Sequence, residues 1–187
     1  MALPPGMTQQ DKDAYLMAST PGPNQAFLAE KAGQSTGTTT QWMPPSMAAG
    51  MAPTNSPCTM TLEPAFEGRY TRGEFKGDMP GMGLFHGLGY YGFDNVSQKF
   101  VSTWLDNMST GIMTGEGTLS PDRKTLTWNF EFNCPMTKGP ARMREVERYT
   151  GADTMTLEMY GDDPKSGEEY MMMKMELKGT SRSATGT

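Results

Sequence analysis

Histidine is nearly absent: the chain of 187 residues has one, His86. That excludes His-rich metal sites, and a Ser-His-Asp or Cys-His apparatus would rest on His86 alone. Cysteine is scarce too. Cys58 and Cys134 lie far apart without CxxC spacing, which indicates neither a redox motif nor a zinc site but two ordinary thiols. No apolar run approaches the roughly 20 residues of a membrane helix. The opening Met1-Ala2-Leu3-Pro4-Pro5-Gly6 has neither the basic n-region nor the apolar stretch of a signal peptide. The expectation is a soluble, cytoplasmic protein without membrane insertion. Clustered positive charge is missing as well, with 16 Lys and Arg against 21 Asp and Glu and a net charge of −5. Nucleic acid and anionic membranes are therefore not expected partners.

Turn formers and methionine are abundant instead: 22 glycines, 14 prolines and 19 methionines. Such Gly and Pro density favours tight turns over long helices. Residues 8–20 fit a short helix that Pro21-Gly22-Pro23 ends. Asn24 reads as the N-cap of a second helix over 25–32, with Ala26, Phe27 and Leu28 apolar and Gly33 closing it. The Thr-rich segment 36–42 reads as a first strand, and 43–57 as a Pro-rich insert.

From Cys58 onward, β-type runs alternate with turn signals. Strands are expected near 59–65, 70–76, 85–93, 100–107, 112–119, 125–133, 142–150, 155–160 and 170–177. About ten strands in sequence order specify an all-β, antiparallel up-and-down β-barrel, since closure removes exposed edges; an open sandwich is the alternative. The domain organisation is then an N-terminal arm (1–22), a barrel domain (23–178) carrying the insert, and a C-terminal tail (179–187). Met155, Leu157 and Met159 share one face, as do Met171, Met173, Met175 and Leu177. One strand alternates oddly: Met143, Glu145, Glu147 and Tyr149 oppose Arg142, Arg144, Val146 and Arg148. Either face brings charge into or near the lumen, which suits a ligand-holding interior better than a filled apolar one.

The run Gly77-Asp78-Met79-Pro80-Gly81-Met82, then Gly92-Phe93-Asp94-Asn95, Lys99 to Met108 and Gly111 to Gly117, resembles the bacterial domain-of-unknown-function family 1579. The resemblance extends from about Pro23 to Lys178. It implies a lipocalin-like barrel with a short helix plugging or flanking one end, and it implies no reaction. Two features depart from the family pattern. Gln34-Ser35 stand where the family places a Trp at the barrel mouth, so that end should be looser or be covered by Trp42, and the insert at 44–57 is longer than expected.

The methionines invite a Cu(I) reading, because thioethers are soft ligands. The candidates are Met79 with Met82, and Met171, Met173 and Met175, with His86 or Cys58 as helpers; adaptable lining of a core or pocket is the plainer reading. His86, between Phe85 and Gly87, could serve as a haem axial ligand or stand as an ordinary hydrogen-bonded imidazole. Asp106, Glu116, Glu131, Glu145 and Glu158 could supply a carboxylate pair for general acid–base work, or pair with Arg142, Arg144 or Arg148. No base accompanies the Ser and Thr hydroxyls, and residues 81–92 lack the ending of a phosphate loop.

These observations lead to a non-enzymatic barrel that binds a small, largely apolar ligand among methionines and aromatics. Arg144, with Glu116, Glu131 or Glu158, would orient a polar end, and Trp104, Asp106, Met113 and Tyr160 complete the expected site. No cofactor or metal is required. The alternative is a structural protein whose N-terminal arm makes subunit contacts in a homo-oligomer or larger assembly.

Overall fold

The structure, a computed structural model, describes residues 4–48 and 50–181. Two helices, α1 (Gln9–Ser19) and α2 (Pro23–Ala29), precede ten strands. These are β1 (Gly33–Gln41), β2 (Thr54–Ala65), β3 (Tyr70–Met79), β4 (Gly83–Asp94), β5 (Lys99–Asp106), β6 (Met113–Leu119), β7 (Thr125–Cys134), β8 (Gly139–Tyr149), β9 (Thr154–Asp162) and β10 (Glu169–Ser181). Each strand pairs antiparallel with its neighbours in sequence, and β1 pairs with both β2 and β10, so the barrel closes with no free edge. Residues 182–187 of the expected tail lie outside the described residues; Gly179 to Ser181 belong to β10.

The Pro-rich insert is shorter than its composition suggests. β2 already begins at Thr54 and contains Pro57 and Pro64. Both prolines sit where one flanking strand is missing: the β3 pairing starts at Cys58, and the β1 pairing stops at Leu62. A missing N–H is tolerated there.

α1 is capped by Thr8, whose hydroxyl accepts from the Asp11 amide while the Asp11 carboxylate accepts from the Thr8 amide. It buries none of its residues and is held at its end by Asn95, which donates to the carbonyls of Met17 and Thr20. α2 starts two residues earlier than Asn24 capping implies. Pro23 takes the first helical position, where its lacking N–H and fixed φ are suited to a helix start, and Gly22 is the N-cap.

α2 closes one end of the barrel. Phe27 and Leu28 enter a core with Phe100, Leu126, Trp128 and Phe130. Gln25 fixes the helix by donating to the Phe93 carbonyl at 2.8 Å. Arg123 binds the Pro23 carbonyl at 3.0 Å and lies over the Phe27 ring. This end therefore does not depend on Trp42, which follows β1 at the opposite end and donates its backbone N–H to Met172.

Inside, glycine alternates with large rings from neighbouring strands. Trp104 covers Gly87 so closely that a Cβ there would stand 2.1 Å from the ring, and Trp128 covers Gly117 in the same way at 2.7 Å. Small residues opposite large ones let the rings of a narrow barrel reach its axis.

Candidate functional site

Strand parity decides what faces the lumen. Leu126, Trp128 and Phe130 point inward from β7, Phe100 and Ser102 from β5, and Leu157 from β9. On β8 the inward set is Met143, Glu145, Glu147 and Tyr149, which puts two carboxyl groups inside the barrel. On β10 the alternation breaks. A register shift between Met171 and Met173 leaves Met171 opposite Tyr160 and brings Met172 into the interior beside Met173. Three methionines in a row, Met171 to Met173, cannot reveal such a bulge, because every register looks equally apolar.

The lumen beyond the end closed by α2 contains a cavity of about 180 Å³. Its wall includes Met60, Phe75, Phe85, Trp104, Met113, Phe130, Met143, Met159, Met172 and Met173. Tyr91, Asp106 and Glu145 are the members of this wall with oxygen-bearing side chains; among the described residues it has no lysine, arginine or histidine. Asp106, at the end of β5, accepts the Met108 amide at 2.9 Å. The loops and strand ends around this end of the barrel expose Met43, Met47, Met51, Met82, Leu84, Ile112 and Met136. One of those loops is pinned by the buried Asp163, which accepts the Ser46 amide at 2.8 Å. That hydrogen bonding holds Asp163 well below the usual carboxylate range despite burial.

At its inner limit the cavity meets a polar layer. Glu145, 4% exposed, lies against Glu147, with which it shares a hydrogen bond. Burial first, and then the neighbouring carboxylate, push Glu145 well above its ordinary range. Burial also raises Glu147. Donors pull it back: the Tyr149 hydroxyl, Trp128 Nε1 at 2.8 Å and the Glu145 carboxyl, with Lys31 nearby. Trp128 and Tyr149 donate to Glu147 while Glu145 Oε1 has no partner among the described residues, so a proton held by the pair is favoured on Glu145, directed toward Glu147. Lys31, at the end of α2, lies over the rings of Phe27 and Tyr149 at 4.7 and 4.3 Å. Beneath it, a chamber of about 40 Å³ lined by Thr71, Tyr91, Trp128 and Glu147 has room for little more than water.

The residues expected at a binding site separate into two groups. Trp104, Asp106 and Met113 meet on the cavity wall. Glu116, Glu131, Arg144, Glu158 and Tyr160 stand on the outer surface. Their inward-facing neighbours are Gly115 and Gly117 on β6, Phe130 on β7, Met143 and Glu145 on β8, and Leu157 and Met159 on β9. Outside, Arg144 lies over the Tyr160 ring at 4.1 Å and binds Glu169 at 2.7 Å. Glu158 accepts from Arg148 and from the Tyr160 hydroxyl. Lys99 binds Glu116, and Arg142 binds Glu131.

His86 is exposed on the outer face, with Nε2 2.9 Å from Glu74. Together with Lys76 and Arg72 it holds Glu74 at about 2. Among the described residues, no three His, Cys, Asp or Glu side chains converge in a way that could hold a metal ion. Glu147 is the lumen group that ranking single carboxylates overlooks; its signal is the i, i+2 spacing from Glu145 on one face of β8.

The family model described as "Protein of unknown function (DUF1579)" matches residues 20–178. The chain belongs to this family. Its glycine-rich stretch supplies many of the interior glycines under the aromatic rings, among them Gly87, Gly115 and Gly117. No curated protein matches the chain. Among solved structures, the crystal structure of Rv2717c from M. tuberculosis is similar, with a TM-score of 0.60 and 13% identity, covering 87% of this chain and 100% of that one. At that identity the likeness concerns the fold alone. No helix among the described residues is long and apolar enough to cross a membrane.

Proposed function

We propose that this DUF1579 protein binds a small, largely apolar molecule in its barrel and performs no chemistry on it. The observation that carries this reading is the 180 Å³ cavity walled by methionines and aromatics. A cavity of about 150 Å³ with apolar walls accepts a benzene-sized guest, so the ligand is of single-ring size. Methionine side chains adapt their shape to a guest, and Trp104 and Met113 would pack on it while Asp106 stands by the mouth. Glu147 argues against acid–base catalysis: Trp128 and Tyr149 occupy its oxygens, which suits a fixed structural acceptor. Native mass spectrometry of the purified protein, compared with its denatured mass, tests this reading. A retained small organic adduct, or one gained on adding toluene, supports it; masses that remain those of the bare chain under both conditions overturn it.

A second reading has one observation of its own. α1 exposes Tyr15, Leu16 and Met17 and buries nothing, which suits an arm that makes subunit contacts. Deleting residues 1–22 lowers the solution mass if the arm assembles copies, and an unchanged mass removes the idea.

A further inference from the structure

We propose that the ligand of this cavity carries a neutral hydrogen-bond donor, a phenol- or alcohol-type hydroxyl, which the Glu145 carboxyl receives; this rests on the binding reading above. Three observations converge. Glu145 is buried on the cavity wall, and its Oε1 has no hydrogen-bond partner among the described residues. A buried carboxyl in an apolar chamber with no further partner is costly unless a guest completes its hydrogen bonding.

Its proton is already committed. Glu147, on the same face of β8, already accepts from Trp128 and Tyr149 and is thereby the acceptor of the pair, so the Glu145 proton turns toward it and Oε1 keeps acceptor capacity toward the cavity. The guest must therefore donate. The charges nearby set its sign. Both carboxylic residues on the wall, Asp106 and Glu145, are acidic, while Lys31 lies on the far side of Glu147, over Tyr149. A carboxylate or phosphate ligand would enter an apolar chamber without a cation to meet it and against like charge. A cationic amine would force Glu145 to ionise beside Glu147, two buried like charges at close range. A neutral hydroxyl avoids both costs.

Isothermal titration with four probes of one ring each, toluene, phenol, benzylamine and benzoate, tests the proposal. The wild type and the Glu145→Gln and Glu145→Met variants are compared. The carboxamide of Glu145→Gln still accepts while its N–H₂ donates to Glu147, whereas Glu145→Met keeps the volume and loses the acceptor. Phenol should bind the wild type and Glu145→Gln alike. Its affinity relative to toluene should fall at least tenfold in Glu145→Met, and benzoate should bind none of the three. Toluene binding without phenol binding in the wild type overturns the donor assignment and leaves the apolar-ligand reading standing. Benzylamine binding tighter than phenol overturns it in favour of a cation. If toluene and phenol both fail on the wild type, the binding reading itself falls. The wild-type comparison needs no variant to fold.

Discussion

Glu145 and Glu147, two residues apart on β8, turn their carboxyl groups into the barrel and share a hydrogen bond there. Ordinary alternation puts both on one face, and closure of the barrel takes both from water. One proton shared between them is the lower-energy state, because two buried like charges at that separation repel strongly.

The pair makes stability depend on pH. Glu145 has a raised value in the folded state, so its contribution is complete below the unfolded-state carboxylate range, about 4.3. It is lost as pH rises from there toward the folded value. Tyr91, Tyr149, Glu147 and Lys31 are the other ionisable groups in this electrostatic neighbourhood. Glu145→Gln removes the ionisation and keeps the shape. Urea unfolding should show the variant more stable than wild type by on the order of 1–2 kcal/mol at pH 8, where each pKa unit is worth about 1.4 kcal/mol. The difference should nearly vanish at pH 4. A difference that is the same at both pH values would contradict a proton held at Glu145.

Gly87 and Trp104 offer a test of the cavity's shape. A Cβ on Gly87 would lie 2.1 Å from the indole, so Gly87→Ala drives the ring toward the space a ligand would use. Overpacking of this kind costs about 1–3 kcal/mol. A matching loss in a urea melt is expected, together with weaker toluene binding. Unchanged stability and unchanged binding would show that Trp104 has room to retreat elsewhere.

Arg144 makes the opposite prediction. Its guanidinium lies outside, stacked on Tyr160 and paired with Glu169. Surface pairs of this sort contribute about 1 kcal/mol or less. Arg144→Ala should lower stability by no more than that and leave toluene affinity within twofold, measured by titration. A large loss of affinity would place Arg144 in the ligand's path.

The barrel was legible in the sequence because its signals agree: short strands, dense turns, and no strong helical pattern beyond residue 33. Which carboxylates turn inward was legible only in part. On β7 the large residues Leu126, Trp128 and Phe130 define the inner face, so Glu131 outside could be read from the sequence; Leu157 and Met159 do the same for Glu158 on β9. On β6 the inner positions include Gly115 and Gly117, which carry no hydrophobic signal, so Glu116 could be assigned to either face. On β8 both faces are charged, and only closure of the barrel decides between Arg144 and Glu145. The bulge at Met172 leaves no mark in a run of methionines.

The methionines provide the most direct test of the central claim. With methyl-¹³C-methionine labelling, the carbon–proton spectrum reports separately on the cavity wall and on the exposed loops. Titration with toluene should shift Met113, Met143, Met159, Met172 and Met173 of the wall. The exposed Met43, Met47, Met51, Met82 and Met136 should stay in place. Shifts confined to the exposed set, or none at all, would contradict a ligand site in the barrel.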